Sequence, residues 1–368
     1  NLFQYKNDSN SINILYLKHR IDYSINQSVF YDNDPLSVIY NDIFLDSNVT
    51  IDSIYNNNIS NTGFIGITNG DYYIDLFGQY DVLTYEQSFG VNTDYHNTYG
   101  GLLVKTCLRK LAVNGIVKYG LTGYRKGDIE AEGLFALNDT NYQLIGGVNY
   151  YLNEPILKFV NYASNHFEWK NTSFNKQSLL DAQITFNLKK IDLDFEINCK
   201  LLNNMLYYNN MAIASQYDEN LSISSFSVGK NYKLSNFSFR SAFKYQMSSD
   251  KLLLPLPDFI FRQIMYYQKY VFKKALKVQF GVGLSYSTDY FGYAYMPAIN
   301  EFYVQGNIKI GNYPQFDVFI NTQLKRAQIF IKYEHINSGN NNVKSFTAPN
   351  YPILNKSLKL GISWNMFD

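Results

Sequence analysis

Two runs of carboxylates stand out as residues that could do chemistry. Asp128, Glu130 and Glu132 recur at every second position, as do Asp192, Asp194 and Glu196. In an extended strand that spacing puts three acids on one face. Such a face suits a cation-selective wall or a divalent-ion site, or else a solvated surface balanced by neighbouring Lys and Arg such as Arg240 and Lys244. The balanced surface is the plainer reading. The four histidines (His19, His96, His166 and His335) have no metal-ligand spacing. Cys107 and Cys199 are too few for a zinc site or a disulfide framework and read as buried thiols. No nucleophile elbow, phosphate loop or dinucleotide fingerprint occurs. The sequence therefore predicts no enzyme, no cofactor and no metal site.

The elements carrying these residues are strands. Leu358, Leu360, Ile362, Trp364 and Met366 alternate with Ser357, Lys359, Gly361, Ser363 and Asn365. The same period of two runs through 180–188, 191–197, 237–245 and 276–286, with no convincing helical period anywhere. Four copies of an apolar-basic-basic-apolar motif mark where alternating segments meet: Leu108–Leu111, Leu188–Ile191, Phe272–Ala275 and Leu324–Ala327. A two-residue hairpin pairs residue i with i+3 on one side, as the Leu108, Leu188 and Leu324 copies require, while the strand before the Phe272 copy alternates poorly; Asn69-Gly70 is a fifth candidate. The paired basic residues suit the end of a membrane span near anionic headgroups, or a docking surface for a periplasmic partner.

With all tight turns at one end, the long polar segments 26–59, 85–94, 153–177, 203–219, 248–257, 291–300 and 338–355 gather at the other. Roughly sixteen strands result, within a range of 14–18 for a barrel of this kind. They start at 12–24 and 60–69 and end at 357–367, with both ends of the chain on the tight-turn side. A turn is expected at 233–234. Segment 301–324 reads either as one long bulged strand or as two strands. The whole chain, 1–368, reads as one domain.

Composition agrees. Lys plus Arg (32) balance Asp plus Glu (31) across 368 residues, which leaves no electrostatic footprint for nucleic acid. Hydrophobic residues make up 46%, enough for a folded chain. A mean hydropathy of -0.25 without long apolar runs excludes transmembrane helices. Aromatics reach 17%, with 34 Tyr, 27 Phe and 2 Trp, and Asn is about 12%. Tyrosine suits the interfacial girdles of a barrel. No signal-peptide pattern is legible at Asn1. The expected fold is therefore all-β: a transmembrane antiparallel barrel, apolar outside and polar inside, with short periplasmic turns and long extracellular loops.

Several segments carry a family resemblance. They are Tyr290-Phe291-Gly292-Tyr293-Ala294-Tyr295-Met296-Pro297, Phe302-Tyr303-Val304-Gln305, Ile310-Gly311-Asn312-Tyr313-Pro314 with Asp317-Val318-Phe319, Lys332-Tyr333-Glu334-His335, Tyr351-Pro352 and Gly361-Ile362-Ser363-Trp364. Together with Tyr162-Ala163-Ser164-Asn165-His166-Phe167-Glu168-Trp169, they resemble the Bacteroidota "putative porin" family of outer-membrane barrels. The resemblance implies an outer-membrane location and a porin role. One departure is that Phe367 falls out of phase with Trp364 and is followed by Asp368, whereas such barrels usually end on an aromatic in phase with the outward residues.

Two functions follow as expectations. The first is passive diffusion of small hydrophilic solutes with weak charge selectivity, with 291–300 (Tyr293, Tyr295, Pro297) as an inward loop narrowing the pore. The second is a structural barrel subunit of a secretion, assembly or uptake complex, with the long Asn-rich segments covering a partner or plugging the lumen. A TonB-dependent receptor is disfavoured, because about 370 residues leave no room for a plug beside 22 strands.

Overall fold

A computed structural model describes residues 13–35, 39–40, 42–90, 92–339, 346–364 and 366. Sixteen antiparallel strands form one sheet in strict sequence order. They are β1 (Ile14–Asp32), β2 (Thr50–Thr68), β3 (Tyr72–Gln87), β4 (Asn92–Leu108), β5 (Leu111–Thr122), β6 (Ile129–Asn138), β7 (Tyr142–Asn153) and β8 (Gln177–Leu188). There follow β9 (Leu193–Asn203), β10 (Leu221–Leu234), β11 (Phe237–Ser248), β12 (Phe259–Val271), β13 (Leu276–Ser287), β14 (Gln315–Leu324), β15 (Ala327–Glu334) and β16 (Ser357–Trp364). β1 and β16 are the outer strands, and no pair joins them among the described residues.

Tight connections lie at one end and most long ones at the other, as the alternation predicts. The expected long loop 85–94 is mostly strand, because β3 runs to Gln87 and β4 starts at Asn92. Leu108 pairs with Leu111 and Leu324 with Ala327 across two-residue turns. Arg109 and Lys325 there take positive φ, as a primed hairpin turn demands. The other motifs differ from expectation. Leu188 pairs with Leu193 and Val271 with Leu276, so both turns hold four residues rather than two. Thr68 pairs with Tyr73, which puts Asn69-Gly70 in a four-residue connection as well. The turn expected at 233–234 falls at Ser235-Asn236, since Leu234 pairs with Phe237.

The basic residues fasten adjacent turns to one another. Lys110 pairs with Asp139 of the next turn, and Lys189 Nζ donates to Asp139 O at 2.6 Å.

Two larger corrections concern strand length. Half of the polar stretch 26–59 is strand, because β1 and β2 are 19 residues each and their Asn, Ser and Asp residues pair in register from Ile14–Thr68 to Asp32–Thr50. Segment 301–324 is neither a long strand nor two spanning strands. Residues 301–303 and 309–310 pair within the long-loop end, and only Gln315–Leu324 enters the sheet. The count of sixteen stands. Phe367 and Asp368 lie outside the described residues.

The two faces separate by parity. Leu358, Leu360, Ile362, Trp364 and Met366 are 65–76% exposed, a lipid-facing stripe continued by Leu15, Leu17, Ile184 and Ile197 on other strands. Cys199 is exposed on this outward face rather than buried, because it is out of phase with inward Asn198, while Cys107 is half-buried. The aromatics serve three roles. Tyr23 and Tyr232 face outward, Tyr99 and Tyr151 face the lumen, and Tyr162, Tyr208 and Tyr293 build the loop end.

Candidate functional site

At the long-loop end, three insertions condense into a cap with its own small core. The segment after β7 makes a helical turn (Leu157–Val160) and a hairpin pairing Asn161–Ala163 with Glu168–Lys170. The segment after β9 pairs Met205–Tyr208 with Ala214–Tyr217. The segment after β13 pairs Ala294–Met296 with Glu301–Tyr303 around a 3-10 turn, Pro297–Ile299.

Tyr162, Trp169, Tyr208, Ala212, Ala214 and Ile299 bury one another, with lumen-facing Ile54 of β2 packed against them. The Tyr162 and Trp169 rings stack at 4.6 Å. Trp169 Nε1 donates to Lys158 O at 2.8 Å. Lys158 Nζ crosses to the third insertion, donating to Ile299 O at 2.6 Å and to Glu301 at 2.7 Å.

The cap is bolted to the strand ends. Gln87 of β3 bonds both Asn161 O and Ala163 N at 2.8 Å. Asn165 donates to Asp52 Oδ1 at 2.9 Å and Thr50 Oγ1 at 2.7 Å. It also receives the amides of Leu45 and Asp46, so one amide side chain gathers the first long loop. His166 is buried, stacked on Tyr40 at 4.0 Å and bonded to Thr50 at 2.8 Å, which makes it structural. His335 is tied likewise, to Tyr313 and Leu354 O at 2.8 Å. Among the described residues no group of three metal ligands occurs.

The expected constriction residues all join this end. Tyr293 OH donates to Leu253 O at 2.6 Å, Tyr295 OH to Asn300 at 2.6 Å, and Pro297 opens the turn that places Ile299 in the core. Sequence reasoning missed the cap as a unit. Its signal was apolar residues inside polar insertions, such as Phe159 and Ile213.

Beneath the cap the first acidic run is paired. Glu130 and Glu132 point inward on β6; Glu130 meets Lys118, and Tyr151 OH donates to Glu132 at 2.6 Å. Asp128 is not on the strand. It sits buried in the preceding turn, 2.6 Å from Lys176 and 3.4 Å from Arg125. Asp128, Arg125, Glu130 and Lys118 line a cavity of about 520 Å³ together with Asp81, Asn97 and Tyr99. In the second run, Asp194 and Glu196 face the lumen from β9, whereas Asp192 precedes that strand. It closes the four-residue turn at positive φ and accepts from Asn231.

Parity also sorts charge around the wall. Lumen-facing positions of β3–β9 carry chiefly acids (Asp75, Asp81, Glu130, Glu132, Asp181, Glu196), and those of β11–β16 chiefly bases (Arg240, Lys244, Arg262, Lys277, Lys332, Lys359). Most minority charges are neutralised locally: Lys200 lies 3.2 Å from Asp181, and Lys332 lies 2.9 Å from Asp317.

The cap's ionisable groups predict its response to base. Burial raises the phenols of Tyr162 and Tyr208 above the ordinary 10.0 and pushes Tyr293 up to about 12. Burial lowers Lys158 from 10.5, against the opposing pull of Glu301. Up to pH 10.5 an opened cap holds more protons on Lys158, so raising pH favours closure. Above 10.0 the opened cap sheds phenolic protons that the closed cap keeps, so raising pH favours opening by about 1.4 kcal/mol per unit and tyrosine. Lys158 is neutral in both forms above 10.5, and only the tyrosines then act. The cap should hold through pH 10 and open between 10.5 and 12, read as tyrosinate absorbance rising together with conductance. Absorbance that rises while conductance stays flat would contradict this.

A sequential meander of amphipathic strands, apolar outside and polar inside, with tight turns below and a folded loop end above, defines an outer-membrane β-barrel. The family model described as "Putative porin" matches residues 1–368, and the chain belongs to that family. No curated protein sequence matches the chain.

Solved barrels resemble it in fold alone. The FrpB iron transporter from Neisseria meningitidis superposes with TM-score 0.63 at 8% identity, over 95% of this chain and 60% of its own. The ferric enterobactin receptor PfeA from Pseudomonas aeruginosa gives 0.60 at 8% identity, over 88% and 54%. The siderophore receptor PirA from Acinetobacter baumannii gives 0.57 at 9% identity, over 88% and 56%. The chain thus spans little more than half the length of these receptors. Its place is the Gram-negative outer membrane, in contact with the lipid bilayer.

Proposed function

We propose that the protein is a capped diffusion channel through which small hydrophilic solutes pass along a polar lumen narrowed at its long-loop end. The observation that supports it is the cap core packed on lumen-facing Ile54 and bonded to Gln87. That arrangement leaves the lumen below lined by polar and charged groups. Acids and bases on the wall balance, which favours weak overall ion selectivity.

Conductance of the purified barrel in planar bilayers tests the reading, with 291–300 intact and then deleted. Small steps that grow on deletion are expected, with reversal potentials near zero. Silence in both forms would overturn the channel in favour of a structural subunit of an envelope complex. A strong cation or anion preference would overturn the weak-selectivity part.

A further inference from the structure

The acidic and basic sectors meet at β9–β12. Glu196 lies directly opposite Ser227 of β10, which lies opposite Lys244 of β11. One row over, Asp194 is level with Gly229, then Ala242, then Arg262. β10 contributes no charge to this patch, only a hydroxyl and a bare glycine.

The opposed charges are therefore held apart. Glu196 and Lys244 are two strand intervals, about 10 Å, from each other. Among the described residues none of Glu196, Lys244 and Arg262 has an ion-pair partner. Elsewhere on the wall acids and bases of adjacent strands sit in contact, as Lys200 does with Asp181. These residues line a lumen-side cavity of about 380 Å³.

We propose that this seam binds short zwitterionic peptides, with the ammonium on Asp194 and Glu196 and the carboxylate on Lys244 and Arg262. The proposal rests on the reading of this face as a solute-accessible lumen, and it names the solute class. A mono-ion meets repulsion from half of the seam, and a neutral polyol leaves both charges unmatched. A molecule with opposite charges at its two ends satisfies both. Two or three residues at about 3.3–3.6 Å each span about 7–11 Å, close to the gap between the two charged positions. Ser227 and Gly229 form a floor that a peptide backbone can approach closely.

Calorimetric titration of the detergent-purified full chain with triglycine tests this, against N-acetyl-triglycine amide as the neutral control. Triglycine should bind and the control should not. Glu196→Gln and Lys244→Met should each weaken binding about two- to fivefold, since each removes one charged contact. The exchange Glu196→Lys with Lys244→Glu should recover part of the loss, because a zwitterion can turn around. Heat-modifiable mobility confirms that each variant is folded, and the exchange variant guards against a loss caused by damage alone.

Equal binding of the control, unchanged variants, or no heat up to about 100 mM triglycine would overturn the site. Conductance on the same preparation separates the two readings. A barrel that conducts without binding refutes the seam alone, and one that binds without conducting refutes the channel alone.

Discussion

Replacing Trp169 by alanine is expected to leave the barrel folded and its cap open. Trp169 is 6% exposed, and its ring stacks on Tyr162 and lies 5.9 Å from Tyr208. Its indole N–H donates to Lys158 O, and Lys158 is the residue that reaches the third insertion. Truncating a buried Trp typically costs about 3–5 kcal/mol. The cap has few other apolar anchors, so its opening equilibrium should shift about a hundredfold to several thousandfold. The variant should conduct in larger steps and expose the segments 157–170 and 205–217 to protease. The strand pairs of β7–β10 do not use Trp169, so heat-modifiable mobility should stay as in the parent. Unchanged step size with unchanged protease resistance would show that the cap does not limit the pore.

The second large effect belongs to the other face. Ile184 lies on β8, is 51% exposed and pairs with Ile197 and Gly146. Arginine on the lipid face of a barrel costs about 2–4 kcal/mol near the midplane and little near the interfaces. Ile184→Arg should therefore lower the urea midpoint of refolding into vesicles strongly. Gln183→Arg, one residue away on the lumen face, should cost close to nothing. Equal losses would mean that the two faces are assigned wrongly.

The parity rule makes the two faces legible in the sequence itself. Ser357–Met366 is a strict alternation, and its apolar members are the exposed ones. The turn end was legible in location but not in length. Leu188-Lys189-Lys190-Ile191 satisfies the i to i+3 rule, yet Asp192 accepts left-handed φ and extends the turn by two residues. Polar strands were less visible. Asn56, Asn57 and Asn58 read as loop because Asn disfavours strands, but backbone pairing with β1 and β3 overrides that preference.

The cap was illegible as a unit because its core residues come from insertions more than 30 residues apart and none shows a period. Tyr162 and Trp169 lie on one hairpin, Tyr208 on a second and Ile299 on a turn. The polarised wall could be found only after register fixed which charges face inward.

The strictly sequential sheet also sets an order of events in assembly. Every strand pairs with its neighbour in the chain, so each addition closes a loop that is local in sequence, and loop-closure entropy grows only slowly with length. The cap joins residues far apart in sequence: Asn165 to Asp52 across 113 positions, Lys158 to Glu301 across 143 and Asn300 to Ser28 across 272. Those contacts become affordable only after the sheet has brought the strand ends near one another. The barrel should therefore pass through an uncapped, solvent-permeable stage during insertion, with its outer mouth sealing last.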